Sequence, residues 1–389
     1  VDPPSPQTRL IEWIEDPSTT EVFFTYLSWS NSAVTRALCK ARKERNIKIT
    51  AVIDSGYVGN EKAAEVEACV PDLEEDEIRP FTIHYRGHTG TGQDEIKYAH
   101  NKLFMINPNS KTVGKMAFSS GNMSSGVILH HENWHFVTVD TNSYFFQSHL
   151  CLRDGVIDHG QRATQYADFI QQCRRGLVDK GLEPESDIQH FFVPGEGWQA
   201  GAVIADSLKW SKNIGVAAHR FSFWRLQNGL KNALKYGSNV RIIVDDDLYY
   251  LKDGAQLGDN MEFEFYNLQS RIEEGAKVRY LETNSDRHLL HHNKYLVLDN
   301  SKTGNNSGVS NPDIWQFKPT YLDTPAVFAG AGNFTTSAFQ SNFENFYYIQ
   351  IPSVIRAFDK QYNYMFDELA TSHRNMPAGS YRSGFSEDE

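Results

Sequence analysis

The tripeptide His-Asn-Lys occurs twice in this 389-residue chain, as His100-Asn101-Lys102 and His292-Asn293-Lys294. The copies lie 192 residues apart (294 less 102), and each opens a short apolar run. Far upstream of each, Asp54 and Asp245 end another apolar run, 191 residues apart (245 less 54). Features well separated in the chain thus keep one spacing to within a residue, which marks an internal duplication. A chain of this length also exceeds one ordinary hydrophobic core. The fold is therefore restricted to two copies of one unit.

Local patterns indicate the unit. Glu21 to Trp29 is rich in β-branched and aromatic residues and reads as a strand. Ser30 or Asn31 can cap a helix from Ala33 to Arg45, whose Val34, Ala37, Leu38 and Ala41 fall at i, i+3, i+4 and i+7. Ile47 to Asp54 is a second strand, apolar enough to be covered on both faces. Together they form a βαβ unit. Further helices are expected at Leu10 to Glu15, Glu61 to Cys69 and Arg162 to Gly176. Further strands are expected at Phe81 to Tyr85, Lys115 to Ser119 and Trp134 to Val139. The second half answers with a strand at Asn213 to Phe221, a helix at Trp224 to Lys235, a strand at Val240 to Asp246 and another at Tyr295 to Leu298. Residues 177–200, with glycines, two prolines and acids, read as a junction between domains 1–185 and 186–389.

The fold class expected is α/β: two similar α/β domains, each a mixed β-sheet flanked by helices, packed as a pseudo-twofold internal duplication. The copies diverge after the second motif, where Ser301 to Pro325 is a polar insertion expected to influence substrate choice. Gly87 to Gly92 reads as a mobile loop near the first motif, not a dinucleotide site. The tail from Asn375 is expected to be flexible.

In an extended segment residues i and i+2 share a face, so each histidine and lysine of a motif can address one small object. An imidazole beside an ammonium suits a phosphate, one attacking or protonating and the other neutralising charge. Each half adds a Gly-Asn pair, Gly121-Asn122 and Gly332-Asn333, and a later glutamate. The candidate catalytic residues are His100, Lys102, Asn122, Glu132, His292, Lys294, Asn333 and Glu344. Packing about a pseudo-twofold axis would gather them into one site. Lysines and asparagine amides then donate to phosphate oxygens, and each glutamate fixes a histidine tautomer. Because the lysines neutralise charge, neither a metal nor a cofactor is expected. His130, His131 and His135 with Glu132 make a poor metal set, since adjacent histidines on a strand face opposite ways. Asp245-Asp246-Asp247 reads as a strand-end turn.

These residues resemble those of the phospholipase D superfamily. The resemblance rests on the two H-x-K motifs, each with its Gly-Asn pair and glutamate, and covers roughly Glu21 to Ile351. The family places an aspartate five residues after the lysine. Asp299 meets that pattern and Asn107 does not, which puts the turn after the first motif in question more than the chemistry. The resemblance implies a metal-free, ping-pong phosphodiesterase with a covalent phosphohistidine. It implies His100 as nucleophile, His292 as general acid, Glu344 orienting His100 and Glu132 orienting His292.

A net charge of -11 counts against a protein that grips nucleic acid chiefly by its phosphates. The expected partner is a phospholipid at a membrane surface, approached by aromatics such as Tyr249, Tyr250, Trp315 and Tyr321. A nuclease with the same machinery is the alternative, and an inactive duplicated scaffold the third reading. Arg42, Lys43 and Arg45 read as a solvated face. The four cysteines allow three pairings, with Cys39–Cys69 and Cys151–Cys173 the sequence-local choice; four buried thiols remain open. An exported protein is expected, and a monomer, since the duplication supplies both motifs in one chain.

Overall fold

A computed structural model describes residues 4–90, 92, 94–111, 113–250, 259–281, 289–302 and 324–378. The chain divides into two compact units. The first takes in Val1–Glu183 and Ser341–Glu344, the second Pro184–Gln340 and Asn345–Phe385.

The first unit holds strands β1 (Glu21–Tyr26), β2 (Lys48–Asp54), β3 (Phe81–Arg86), β4 (Leu103–Ile106), β5 (Val113–Ser119) and β6 (Trp134–Asp140). They form one mixed sheet in the order β3-β2-β1-β4-β5-β6. β1, β2 and β3 run parallel, and β4, β5 and β6 continue antiparallel. Its helices are α1 (Pro6–Glu15), α2 (Ser32–Arg45), α3 (Glu61–Glu67), α4 (Gly126–Leu129), α5 (Tyr144–Asp158) and α6 (Ala163–Asp179). Asn31 caps α2, its Oδ1 accepting from the backbone N–H groups of Ala33 and Val34. Val34, Ala37, Leu38 and Ala41 then bury in one cluster with Val22, Phe24 and Tyr26 of β1. Each large side chain buried there contributes about 2 kcal/mol.

The second unit holds β7 (Ile188–Val193), β8 (Asn213–Ala218), β9 (Asn239–Asp245), β10 (Lys277–Leu281), β11 (Lys294–Leu298), β12 (Ala326–Gly330), β13 (Glu344–Ile349) and β14 (Thr371–Ser372). Their order is β14-β10-β9-β8-β11-β12-β13-β7. Its helices are α7 (Gly197–Trp210), α8 (Trp224–Lys235), α9 (Asp247–Tyr250), α10 (Asp259–Glu273) and α11 (Pro352–Tyr364). Along β9, Ile242 and Val244 join Leu226 and Leu230 of α8 in one cluster, while Ile243 joins Tyr295 and Tyr362 in another. The alternation shows a sheet covered on both faces.

The six central strands of the second sheet repeat the first sheet in order, direction and register. Val22 faces Ile106 and Ile214 faces Leu298, both residues of the second pair standing 192 later. Glu21 faces Lys48 and Asn213 faces Asn239, offsets of 192 and 191. Leu103 faces Phe118 and Tyr295 faces Ala329, offsets of 192 and 211. Each change of offset falls in a connection, so the duplication read from the sequence is also a duplication of pairing.

Several expectations need correction. Residues 177–200 are more than a junction, since they contain β7 and the start of α7. Tyr249 and Tyr250 sit on α9; Tyr250 is buried in the core and Tyr249 packs against it, so neither is an aromatic on an exposed loop. Met376 also packs in that core, at the start of what reads as a flexible tail. Arg42 and Arg45 are not a solvated face. Arg42 donates to the carbonyls of Val66 and Glu67, and Arg45 to those of Asp16 and Thr19. Trp315, Tyr321, most of the insertion and residues 379–389 lie outside the described residues. Disulfides join Cys39 to Cys69 and Cys151 to Cys173, the sequence-local pairing. Among the described residues, no helix is long and apolar enough to cross a membrane.

Candidate active site

Topology gathers the candidate residues of each unit at one end of its sheet. β4 runs antiparallel to β1, so the motif that precedes β4 lies beside the carboxyl ends of β1 and β2. β5 returns, and Ser120-Gly121-Asn122 follows it at that same end. β6 reverses again, which brings Glu132 and Asn133, just before it, to the same place. The two connections are tied together, with Ser120 N–H donating to the Asn133 carbonyl and Asn133 N–H to Ser120 Oγ. The second unit does the same with Asp245, the His292 motif and Asn333.

His100, Lys102, Asn122, His292, Lys294, Asn333 and Glu344 are all buried. In the first unit, His100 Nδ1 lies 2.9 Å from Glu344 Oε2. The other carboxylate oxygen accepts from Asn342 Nδ2 at 3.1 Å. His100 N–H donates to the Phe343 carbonyl, so backbone and side chain both fix the pair. Lys102 Nζ lies 3.0 Å from His100 Nε2 and donates to the His100 carbonyl at 3.3 Å. In the second unit, Lys294 Nζ likewise donates to the His292 carbonyl at 3.1 Å. The His292 ring meets His219 edge-on, 5.1 Å between ring centres.

Glu132, which the register makes the equivalent of Glu344, accepts from Trp134 Nε1 at 3.0 Å and lies 3.4 Å from His130 Nδ1. Its carboxylate fills the space over Gly121; a Cβ there would come within 1.8 Å of Glu132 Oε2. Glycine at 121 is therefore a condition for Glu132 to sit where it does.

Sequence reasoning noticed Asp54 and Asp245 only as markers of the repeat. Each is a buried anchor for its motif. Asp54 Oδ2 accepts from Ala99 N–H at 2.7 Å, and Asp245 Oδ2 accepts from His291 N–H at 2.7 Å. Ala99 and His291 each immediately precede a motif histidine. The available signal was the constant offset itself. His88, from the glycine-rich loop, was also missed; its Nε2 lies 2.8 Å from Asp54 Oδ1. His219 was missed as well, because the equivalent position in the first unit is Leu27, again 192 residues earlier.

The departure at Asn107 has a local explanation. Asn107 Oδ1 accepts from the N–H groups of Thr20 and Glu21, at the entry to β1. Asp299 accepts from the N–H groups of Lys212 and Asn213, at the entry to β8. The task is the same, so the turn is intact. Asn107 is left-handed, with φ 48°, a conformation asparagine tolerates well, and its Nδ2 also donates to the Ser18 carbonyl.

His135 and Asp245 are occupied otherwise than by a metal's demands. Burial pushes His135 down to about 4, keeping it neutral, and its ring stacks on Phe118 at 4.5 Å. Oxygens of Asp245, Asp246 and Asp247 come within 4.8 Å of one another. Asp245, however, uses both of its oxygens to hold the N–H groups of Asp247 and His291, as a strand-end turn requires.

Residues 205–366 match the family model described as cardiolipin synthase, PLD-like domain. The structure is similar to phosphatidylserine synthase from Haemophilus influenzae Rd KW20, with a TM-score of 0.60 and 15% identity over 96% of this chain and 87% of that one. It is also similar to polyphosphate kinase from Porphyromonas gingivalis, with a TM-score of 0.53 and 12% identity. That match covers 97% of this chain and 49% of the kinase, so this chain spans about half the kinase's length. No curated protein matches the sequence. The family model takes in Asp245, His292, Lys294, Asn333 and Glu344, and the shared register carries the same pattern into the first unit. The match puts a PLD-like domain in the second unit, and the first unit repeats that domain's strand order and register.

Proposed function

We propose that this protein is a phosphodiesterase that cleaves phospholipids through a covalent phosphohistidine. The observation that carries the reading is the His100 couple, with Glu344 on Nδ1 and Lys102 at Nε2. A buried carboxylate at Nδ1 favours the proton there and leaves the lone pair on Nε2. Lys102 donates to that nitrogen at rest and shifts to a phosphate oxygen when substrate enters. The Nε2 lone pair then forms the N–P bond as the bond from phosphorus to the leaving alcohol oxygen breaks, and protonated His292 gives that oxygen its proton. Water next attacks phosphorus and gives a proton to His292, and the N–P bond breaks to restore His100. Lys294, Asn122 and Asn333 donate to the phosphate oxygens, and Glu132 orients His292. Charge neutralisation by the lysines makes the reaction independent of metal.

The description of the family model that matches the second unit, cardiolipin synthase, supports phospholipid as the substrate, and so does the net charge of -11. The two disulfides support export to an oxidising compartment. The test is parallel assay on phosphatidylcholine vesicles, single-stranded DNA and duplex DNA, each with and without chelator. Phospholipid turnover that chelator leaves unchanged is expected. Preferred turnover of DNA at low salt would replace the lipid reading with a nuclease, and loss of activity restored by added metal would overturn the metal-free mechanism.

A further inference from the structure

α7 and α8 leave between them a cavity of ≈ 410 Å³ whose lining includes Lys209, Arg225, Lys302, Trp224 and Tyr236. Around it the aromatic side chains face solvent: Trp198 is 60% exposed, Trp224 46% and Tyr236 71%. The Arg225 guanidinium sits 3.2 Å over the Trp198 ring and 5.1 Å from the centre of the Trp224 ring. Lys209 and Lys235 lie over the rings of Trp210 and Tyr236. Asp206 of α7 is the carboxylate facing Arg225 and Lys209; burial pushes it up, while those two cations pull it down. None of these residues belongs to a His-Asn-Lys motif.

Three exposed rings on one face of a folded unit leave apolar area in water without benefit to folding. Indole and phenol rings interleaved with basic side chains suit the headgroup layer of a membrane, where each ring has one apolar and one wet side. The chain as a whole is acidic, so attraction of an anion here must come from these local cations. The shape favours one headgroup over a polynucleotide. The cations gather about one cavity, whereas strand binding needs a basic groove that follows the backbone past successive free rings.

We propose that the α7–α8 face is a docking site for an anionic phospholipid surface, with a headgroup phosphate held among Lys209, Arg225 and Lys302 and the rings of Trp198, Trp224 and Tyr236 set into the headgroup layer. This deepens the phospholipid reading and rests on it, but binding can be measured apart from turnover. The full chain is co-sedimented with vesicles of phosphatidylcholine alone or mixed with phosphatidylglycerol. Binding to the mixed vesicles is expected to be at least about tenfold tighter and to weaken with salt. Lys209→Gln with Arg225→Gln should remove about tenfold of it, with melting temperature as the check on folding. A second measurement needs no loss of charge: tryptophan fluorescence should shift to the blue on mixed vesicles, and Trp198→Phe with Trp224→Phe should abolish the shift. Equal binding to both vesicles, or variants that bind as the parent does, would overturn the proposal. So would a soluble glycerophosphate that competes as well as vesicles do, or an oligonucleotide whose binding alone the variants lose. If vesicles bind as expected but phospholipid is not turned over, the docking site stands and the substrate assignment falls.

Discussion

His100 and His292 hold equivalent positions in two sheets of the same register, yet their rings meet different neighbours. His100 has a buried carboxylate, Glu344, at 2.9 Å, while His292 has a second imidazole, His219, 5.1 Å away between ring centres. What the units share is backbone placement: an aspartate anchor before the motif, a lysine folded back on the histidine carbonyl, and a side-chain cap at the entry to the first strand. What differs lies just outside the repeated tripeptide. Duplication has fixed the positions of two histidines while leaving their electrostatic surroundings free to diverge. A carboxylate stabilises a ring that gathers positive charge, as a nucleophile does on attack. On the proposed mechanism, the Glu344 carboxylate suits His100 to the nucleophile's part.

The largest test of that comparison removes either ring. His100→Ala and His292→Ala should each lower kcat by about 10⁴-fold or more, since residues acting as one unit fail together. His292→Asn, denatured at neutral pH and read by mass spectrometry, should carry the phosphatidyl group through phosphorus on His100; absence of an adduct on His100 would remove it from the nucleophile's part. Next, Glu344→Gln should lower kcat by about 10²-fold. His219→Leu, which copies the residue of the first unit, should cost less than about tenfold. Equal losses from the two would mean that the neighbours do not set the roles.

The anchors should behave alike if the backbone placement is truly shared. Asp54→Ala and Asp245→Ala should each destabilise by about 2–3 kcal/mol in chemical denaturation, since each leaves buried N–H groups without their charged acceptor. They should also lower kcat more than they raise KM, because the histidine is misplaced in every state.

Acid should act on two buried histidines. Burial pushes His135 down to about 4 and His149 to about 3, both in the first unit. At the place equivalent to His135 the second unit has Tyr347, whose hydroxyl burial pushes up. A histidine depressed on folding binds more protons when unfolded. Its penalty is absent above pH ~6.5 and grows as pH falls from there toward the folded value. By pH ~5 each should cost roughly 2 kcal/mol, and His135→Phe should remove about half of the resulting slope of stability against pH. A slope unchanged by that substitution would break the assignment. The smallest expected effect is at the caps. Asn107→Asp, which copies the second unit, should cost about 1 kcal/mol in thermal unfolding, through the lost donor to Ser18 and the left-handed backbone.

Much of this arrangement was legible because it depends on periodicity and spacing. α2 and α8 were readable from apolar residues at helical intervals, and β2 from an unbroken apolar run. The histidines and lysines followed from a constant offset, and the asparagines and glutamates from the Gly-Asn pair and later glutamate that follow each motif. α5 was not readable: Tyr144, Phe145, Phe146, His149 and Leu152 bury on several sides at once, leaving no polar stripe to set a helical period. β7 was obscured by the glycines and prolines around it. Asp54 and Asp245 were visible as aspartates but not as anchors, because their partners are backbone amides 45 and 46 residues away. His219 gave no signal, since the repeat holds a leucine at its other copy.

The aspartate anchors have a consequence for how such a chain can change. Because one carboxylate ties the strand end directly to the amide before the motif histidine, the polypeptide between them is relieved of setting where that histidine stands. Lengthening, shortening or exchanging it should leave the imidazole of the motif in place.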